Sequence, residues 1–215
     1  EENQVNQEGK SHGTRKLYHE NGQLQVEVGW TDGIQNDGNI VSYHENGTKA
    51  KSVDFLDGYP QGEYKKYYNN GNIKKEFQVN KDGKSQGTTK IYHENGQLKA
   101  KLEFTDGIQN DGNIVSYHEN GTKARSVTLI DGSFQGEFFE WHTNGVLSCQ
   151  GVYKDDEVLE RTLWDEDGSL KGFDDEIIRK AVKEWLDDAA KAESKYGHIS
   201  SWDTSEVNDV TALFY

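Results

Sequence analysis

Residues 18–33 read YHENGQLQVEVGWTDG. Two turn signals, Asn21-Gly22 and Asp32-Gly33, bracket a run in which Leu24, Val26, Val28 and Trp30 fall at alternate positions. Alternation with period two marks a half-buried strand, and Asn-Gly beside such a run marks a tight hairpin. The turn expected at Asn-Gly is type I′, which needs positive φ at both central residues. Leu98, Ala100, Leu102 and Phe104 repeat the same face, and Asp57-Gly58, Asp106-Gly107 and Asp131-Gly132 repeat the closing turn.

Outward from this stretch, the unit recurs along the chain. Its turn glycines are Gly22, Gly47, Gly71, Gly96, Gly121, Gly145 and Gly168, at intervals of 25, 24, 25, 25, 24 and 23 residues. Four residues before each stands an aromatic: Tyr18, Tyr43, Tyr67, Tyr92, Tyr117, Trp141 and Trp164. Seven units follow, near residues 9–33, 34–58, 59–83, 84–107, 108–132, 133–154 and 155–172. A longer period lies on top. Residues 5–78 match 79–152 at an offset of 74, and TDGIQNDGNIVSYHENGTKA is identical at 31–50 and 105–124. A block of three repeats has been copied, so identity at exposed positions reflects shared ancestry and need not mean shared function.

The fold class expected is mainly β: an elongated antiparallel meander of seven hairpin repeats in a single-layer sheet over residues 1–172, then a helical cap over 173–215. One face would carry Tyr, Trp and aliphatics and the other would be polar. In the second unit Lys49 and Lys51 replace Leu24 and Val26, and in the fifth Lys123 and Arg125 do so. The apolar face should be open near those turns, with long cationic stems covering what remains.

Composition agrees. Only 32% of the 215 residues are hydrophobic, and mean hydropathy is −0.97. A compact core would be thin, whereas an array in which each unit touches only its neighbours suits such a chain. The net charge of −14 opposes a nucleic-acid partner or an anionic membrane surface, both of which call for basic stripes. Cys149 is the one cysteine, which excludes an intrachain disulfide and a Cys-based zinc site. No apolar run approaches the ~18 residues of a transmembrane segment. The sequence opens at Glu1 and holds no methionine, so a removed leader or trimmed ends are expected.

The stretches GTRKLYHENGQL (13–24), GEYKKYYNNGNI (62–73), GTTKIYHENGQL (87–98) and GEFFEWHTNGVL (136–147) share one pattern. It resembles the MORN-variant repeats, over about residues 9–172. Bacterial chains of this type are catalogued as antitoxin-like components or found as envelope proteins. Fold resemblance does not carry function; the chain as a whole reads as a non-enzymatic repeat scaffold of an exported or surface protein that binds a partner protein.

Beyond Gly172 the composition changes. In FDDEIIRKAVKEWLDDAAKAESKYG (173–197), Ile177, Ile178, Ala181, Val182, Trp185, Leu186 and Ala189 form one helical stripe. Asp174 or Asp175 is placed to cap it, and Gly197 to stop it. The stripe is expected to dock on the open end of the sheet and cover its last edge. The following segment resembles the first partial repeat of BspA-like leucine-rich-repeat surface proteins. The resemblance rests on Gly197, His198, Ile199, Trp202, Asp203, Ser205, Val207, Asp209, Leu213 and Phe214, with Val210 where that family carries Met. It implies export and display at the cell surface. One repeat cannot build a solenoid, so a piece of a longer protein is expected, with a cap as the alternative.

Candidate sites are few. His19, His44, His93, His118 and His142 follow the repeat aromatics and should form a column. Equivalent positions two strands apart are separated by ~9.5 Å, too far for two neighbours to share a zinc that holds nitrogen at about 2.0–2.1 Å. Exposed histidines on the polar face are expected. Asp32, Asn36, Asp37 and Asn39, copied at Asp106, Asn110, Asp111 and Asn113, look faintly like a calcium loop. The alternating ligands and closing Glu are missing, and turn chemistry explains them. Asn-Gly-Thr at 46–48 and 120–122 fits a glycosylation acceptor, but the turn already accounts for Asn-Gly. No nucleophile elbow, zinc-protease helix or phosphate loop occurs, so neither catalysis nor a cofactor is expected. Tyr64, Tyr68, Phe138 and Phe139 are the candidate exposed aromatics for a protein partner, or else they pack neighbouring hairpins. Stacked aromatics for a glycan, and an intracellular antitoxin-like role, are the alternatives.

Overall fold

The computed structural model describes residues 4–173, 175–205 and 207–211. The chain divides into two compact units, residues 1–111 with 119–121, and residues 112–118 with 122–215. The first holds strands β1 (Gly13–Tyr18), β2 (Leu24–Thr31), β3 (Ile34–Gln35), β4 (Gly38–Tyr43), β5 (Lys49–Leu56), β6 (Tyr59–Tyr67), β7 (Ile73–Val79), β8 (Ser85–Tyr92), β9 (Leu98–Thr105) and β10 (Ile108–Gln109). They pair antiparallel in chain order, with the short β3 and β10 folding back on β2 and β9. The second holds β11 (Gly112–Tyr117), β12 (Lys123–Ile130), β13 (Ser133–Trp141), β14 (Leu147–Lys154) and β15 (Glu157–Leu163), again antiparallel in chain order. The mainly-β fold of consecutive hairpins is therefore present. Among the described residues six hairpins are complete. In the seventh unit β15 is answered only by a bridge from Trp164 to Leu170, because the chain then leaves the sheet.

The type I′ turn expected at Asn-Gly is found at Asp-Gly instead. At Asp32-Gly33 both residues have positive φ, 50° and 85°, and Thr31 pairs with Ile34. That is the two-residue type I′ loop, and it belongs to Asp-Gly rather than to Asn-Gly. At residues 19–23 only Gly22 has positive φ, 83°. Gly22 N–H donates to His19 O at 2.9 Å and His19 N–H to Gln23 O at 2.8 Å. This is the three-residue loop in which a type I turn leads into a left-handed glycine, and the register shifts beside it at Leu17/Tyr18. The cause is local: Asn21 Oδ1 accepts from Gln23 N–H at 3.0 Å, and this side-chain turn holds Asn out of the left-handed region.

The helix breaks where one continuous stripe was expected. Helix α1 spans Asp175–Asp187 and α2 spans Ala189–Tyr196, with Asp188 between them accepting from Lys191 N–H as the cap of α2. The break turns the chain, so Leu186 is 63% exposed and Ala189 is exposed, while Ala192 and Tyr196 enter the core with Phe173, Ile178, Ala181 and Val182. Gly197 does stop the helix, with φ of 74°. Asp175 is not an ordinary cap: its carboxylate accepts from Asn208 and Asp209 N–H at 2.6 and 2.8 Å. Asp174, Leu213 and Phe214 lie outside the described residues. Trp202 stacks on Phe173 at 4.6 Å and meets Trp185 edge-on at 5.7 Å, so Trp202 and Val207 close this small core. The stripe is spent on that core and does not cover the last strand. Val158 and Leu159 on β15 remain 44% and 61% exposed.

Candidate interaction surface

The repeat turns carry a ladder of side-chain bonds from each repeat to the next. Asn21, Asn46, Asn70 and Asn144 each donate Nδ2–H to a backbone carbonyl one repeat on, at Glu45, Asn69, Glu94 and Glu166, all at 2.8 Å. Asn95 does the same to Glu119 at 2.7 Å. The histidines run alongside. Nε2 of His19, His44, His118 and His142 meets the carbonyl oxygen of Tyr43, Tyr67, Trp141 and Trp164 at 2.8, 3.3, 2.7 and 2.7 Å. In the third repeat Tyr68 takes this place, its hydroxyl donating to Tyr92 O at 2.8 Å. The expectation of an exposed histidine column is corrected: all five histidines are half-buried, and four hold the next repeat's aromatic by its backbone. Tyr43, Tyr67, Tyr92, Trp141 and Trp164 are thus each gripped at the backbone carbonyl in a part-buried setting, where a carbonyl needs such a donor.

The residues with a calcium-loop look diverge. Asp32 accepts from Asn6, Asn36 from Thr31, and Asp37 from Asp57 N–H, while Asn39 is held between Asp54 and Ser52. One side-chain oxygen of each is bonded to a different partner, as turn chemistry requires.

On the apolar face of the first unit a groove of about 420 Å³ opens over β2, β4 and β5, lined among others by Val26, Val28, Ile40, Ala50, Lys51 and Val53. It lies where Lys51 interrupts the aliphatic pattern, as the sequence predicted. Lys51 Nζ stands 5.4 Å from the Tyr64 ring. Tyr64 stacks on Phe77 at 4.5 Å, and Lys75 Nζ lies 4.8 Å from that ring. Burial, with Lys66 nearby, lowers the Lys75 pKa. Tyr64 and Tyr68 are half-buried, each between a neighbouring ring or backbone group and a lysine.

The copied block has a different interior at the equivalent place. Arg125, which corresponds to Lys51, lies over Phe134 and Tyr153 at 5.6 and 5.8 Å, donates to the Tyr153 hydroxyl at 2.7 Å and pairs with Glu140 at 3.3 Å. Phe138 corresponds to Tyr64 but is 3% exposed, packed with Val127 and Cys149. Its place among exposed aromatics is corrected. The reason is Gly151, which stands where the first copy has Phe77: a Cβ there would fall 2.5 Å from the Phe138 ring. Phe139 is half-buried and stacks on Trp141 at 6.1 Å. Burial raises the Cys149 thiol pKa, which makes it a packing residue rather than a nucleophile.

Sequence reasoning missed one polar cluster, because its members are 16 residues apart in sequence. Tyr92 donates to Glu76 Oε1 at 2.7 Å, and Lys90 Nζ meets the same oxygen at 3.0 Å. The Tyr92 bond holds the Glu76 carboxyl below its ordinary value against its partial burial, with Lys90 assisting. Burial and the bond to Glu76 push Tyr92 up to about 12. One group is held ionised and the other protonated at neutral pH, the reverse of the matched pKa that proton transfer needs. Among the described residues no helix is long and apolar enough to cross a membrane.

A comparison with curated proteins gives no match. Among solved structures, a chain of "Crystal Structure of TcdB2-TccC3-Cdc42" aligns at 12% identity and a TM-score of 0.15. The alignment covers 78% of this chain and 13% of that one, and a score so low carries no argument. The family-model matches lie within residues 11–155 and do not include the C-terminal segment. Residues 11–31, 60–81, 85–106 and 134–155 each match the family model of the MORN repeat variant, the strand–turn–strand unit whose geometry is described above.

Proposed function

We propose that this chain is a non-enzymatic repeat scaffold that binds a partner protein along its apolar face. The observation that carries the reading is the groove over β2, β4 and β5. It is lined by aliphatic side chains together with the exposed Lys51 and Gln25, and set in a sheet whose repeats are tied to one another at every described turn of β1 to β8. A surface held rigid in this way costs little ordering on binding. Apolar floors with polar rims are what protein interfaces present. A photo-cross-linking side chain placed at Ala50, in the groove, and separately at the exposed Glu27 tests it in the native host cell. A protein adduct at position 50 and not at 27 is expected. Equal adducts at both positions, or none, overturn the reading.

The finer reading places the scaffold at the cell surface, and it rests on the residues of 197–209 named above. A membrane-impermeant label applied to intact host cells should reach the chain. Labelling only after lysis removes surface display and leaves the scaffold reading standing.

A further inference from the structure

We infer that the unfinished seventh repeat is a receptor for an extended segment of a partner protein, which adds to the free edge of β15 as a strand. In each of the other six repeats the first strand is covered along its length by a second strand, which in the first and fourth repeats carries apolar residues at alternate positions. The first repeat shows the register: Tyr18 faces Leu24, Leu17 faces Val26 and Arg15 faces Val28. The seventh repeat begins the same way, with Trp164 facing Leu170 and Lys171 N–H donating to Leu163 O at 2.8 Å. The chain then departs at Gly172 toward α1. Residues 157–162 of β15 therefore pair with β14 on one side and with no strand among the described residues on the other.

What lies along that side is a groove of about 390 Å³ between β15 and α1, lined among others by Val158, Leu159, Arg161, Ile177 and Tyr196. It is spanned by one exposed ion pair, Lys180 Nζ to Glu160 Oε2 at 3.1 Å. An edge strand offers its main-chain groups to any extended chain, and alternate side-chain pockets select the sequence. The occupant is set by continuity with the interface that each earlier repeat makes: a strand of about five residues, apolar at alternate positions, continuing the line that Ser169–Lys171 begins. The residues involved are not those of the groove over β2, β4 and β5, so this proposal stands apart from the reading above.

The test uses the full chain and a synthetic peptide of sequence LQVEVGW, the second strand of its own first repeat. Amide hydrogen exchange is followed with and without saturating peptide. Exchange at residues 158–162 should slow about tenfold, as edge amides become paired. The same peptide N-methylated at alternate residues should give no slowing. Unchanged exchange at 158–162, equal protection by the methylated peptide, or protection confined to β1 would each overturn the proposal.

Discussion

Replacing Gly151 by alanine adds one methyl group at the most crowded point of the β13–β14–β15 region. The new Cβ would press on the Glu160 carbonyl oxygen and stand 2.5 and 2.7 Å from Cε1 and Cζ of Phe138. Gly151 is not among the residues of positive φ, so backbone strain is not the issue and the cost is overpacking. Overpacking of a filled core costs about 1–3 kcal/mol. Here one partner is backbone of the paired strand and the other a ring buried with Val127 and Cys149, so roughly 2–3 kcal/mol is expected. At ~2–4 °C per kcal/mol for a chain of this size, Tm should fall by roughly 4–12 °C. Thermal melts followed by far-UV circular dichroism measure the shift in Tm, and urea melts the loss in free energy. Phe138→Leu shortens the ring that meets the methyl, so G151A and F138L together should lose about 1 kcal/mol less than the sum of the singles. A G151A loss within about 0.5 kcal/mol of zero, or strict additivity in the double variant, would refute the packing argument.

Asn144→Asp keeps the oxygen that accepts from Val146 N–H and removes the Nδ2–H given to Glu166 O. It should cost about 0.5–1 kcal/mol, and Asn144→Ala about twice that; no loss for Asn144→Asp in urea melts would show that the bond between repeats contributes nothing. Tyr92→Phe should cost about 1–2 kcal/mol near neutral pH. Glu76, held low in the folded state, contributes stability above its ordinary range that is lost as pH falls below about 4.5. The wild type should therefore lose more stability between pH 5 and pH 3 than Y92F does. Tyr92, raised to about 12, contributes stability that is full below about pH 10 and lost as pH rises toward 12, so Y92F should also remove the last tyrosine to ionise in an absorbance titration. Asp188→Ala removes the cap at Lys191 N–H, 3.1 Å away, and should cost about 1 kcal/mol. A fall in helical signal without change in the β signal is expected; no change in either would refute the cap.

The strands and their turns were legible in the sequence because both are local properties. Alternation over Leu24–Trp30 and Gly at fixed intervals decide strand and turn within a few residues, and the structure keeps both. The turn type was misread at Asn21-Gly22, although the signal was present: an Asn side chain competes for the backbone two residues on. The histidines were misjudged for another reason. Their spacing of 24 or 25 residues was visible, but that a side chain reaches the next repeat's carbonyl depends on the distance between adjacent hairpins.

The sequence by itself determined the hairpins, their number up to the sixth, the opening of the apolar face at Lys51 and the change of structure after Gly172. Each follows from side-chain period and turn residues along a short stretch. Tertiary structure alone decided which aromatics are surface. Tyr64 and Phe138 occupy equivalent places in the copied block, yet one stacks half-buried on Phe77 and the other sinks into the space that Gly151 leaves. It also decided that α1 and α2 fold on Trp202 and leave β15 uncovered. Packing is a property of what stands across the sheet: Tyr64 faces Phe77 and Phe138 faces Gly151 on the neighbouring strand, and the register that sets them opposite is not written at either position alone.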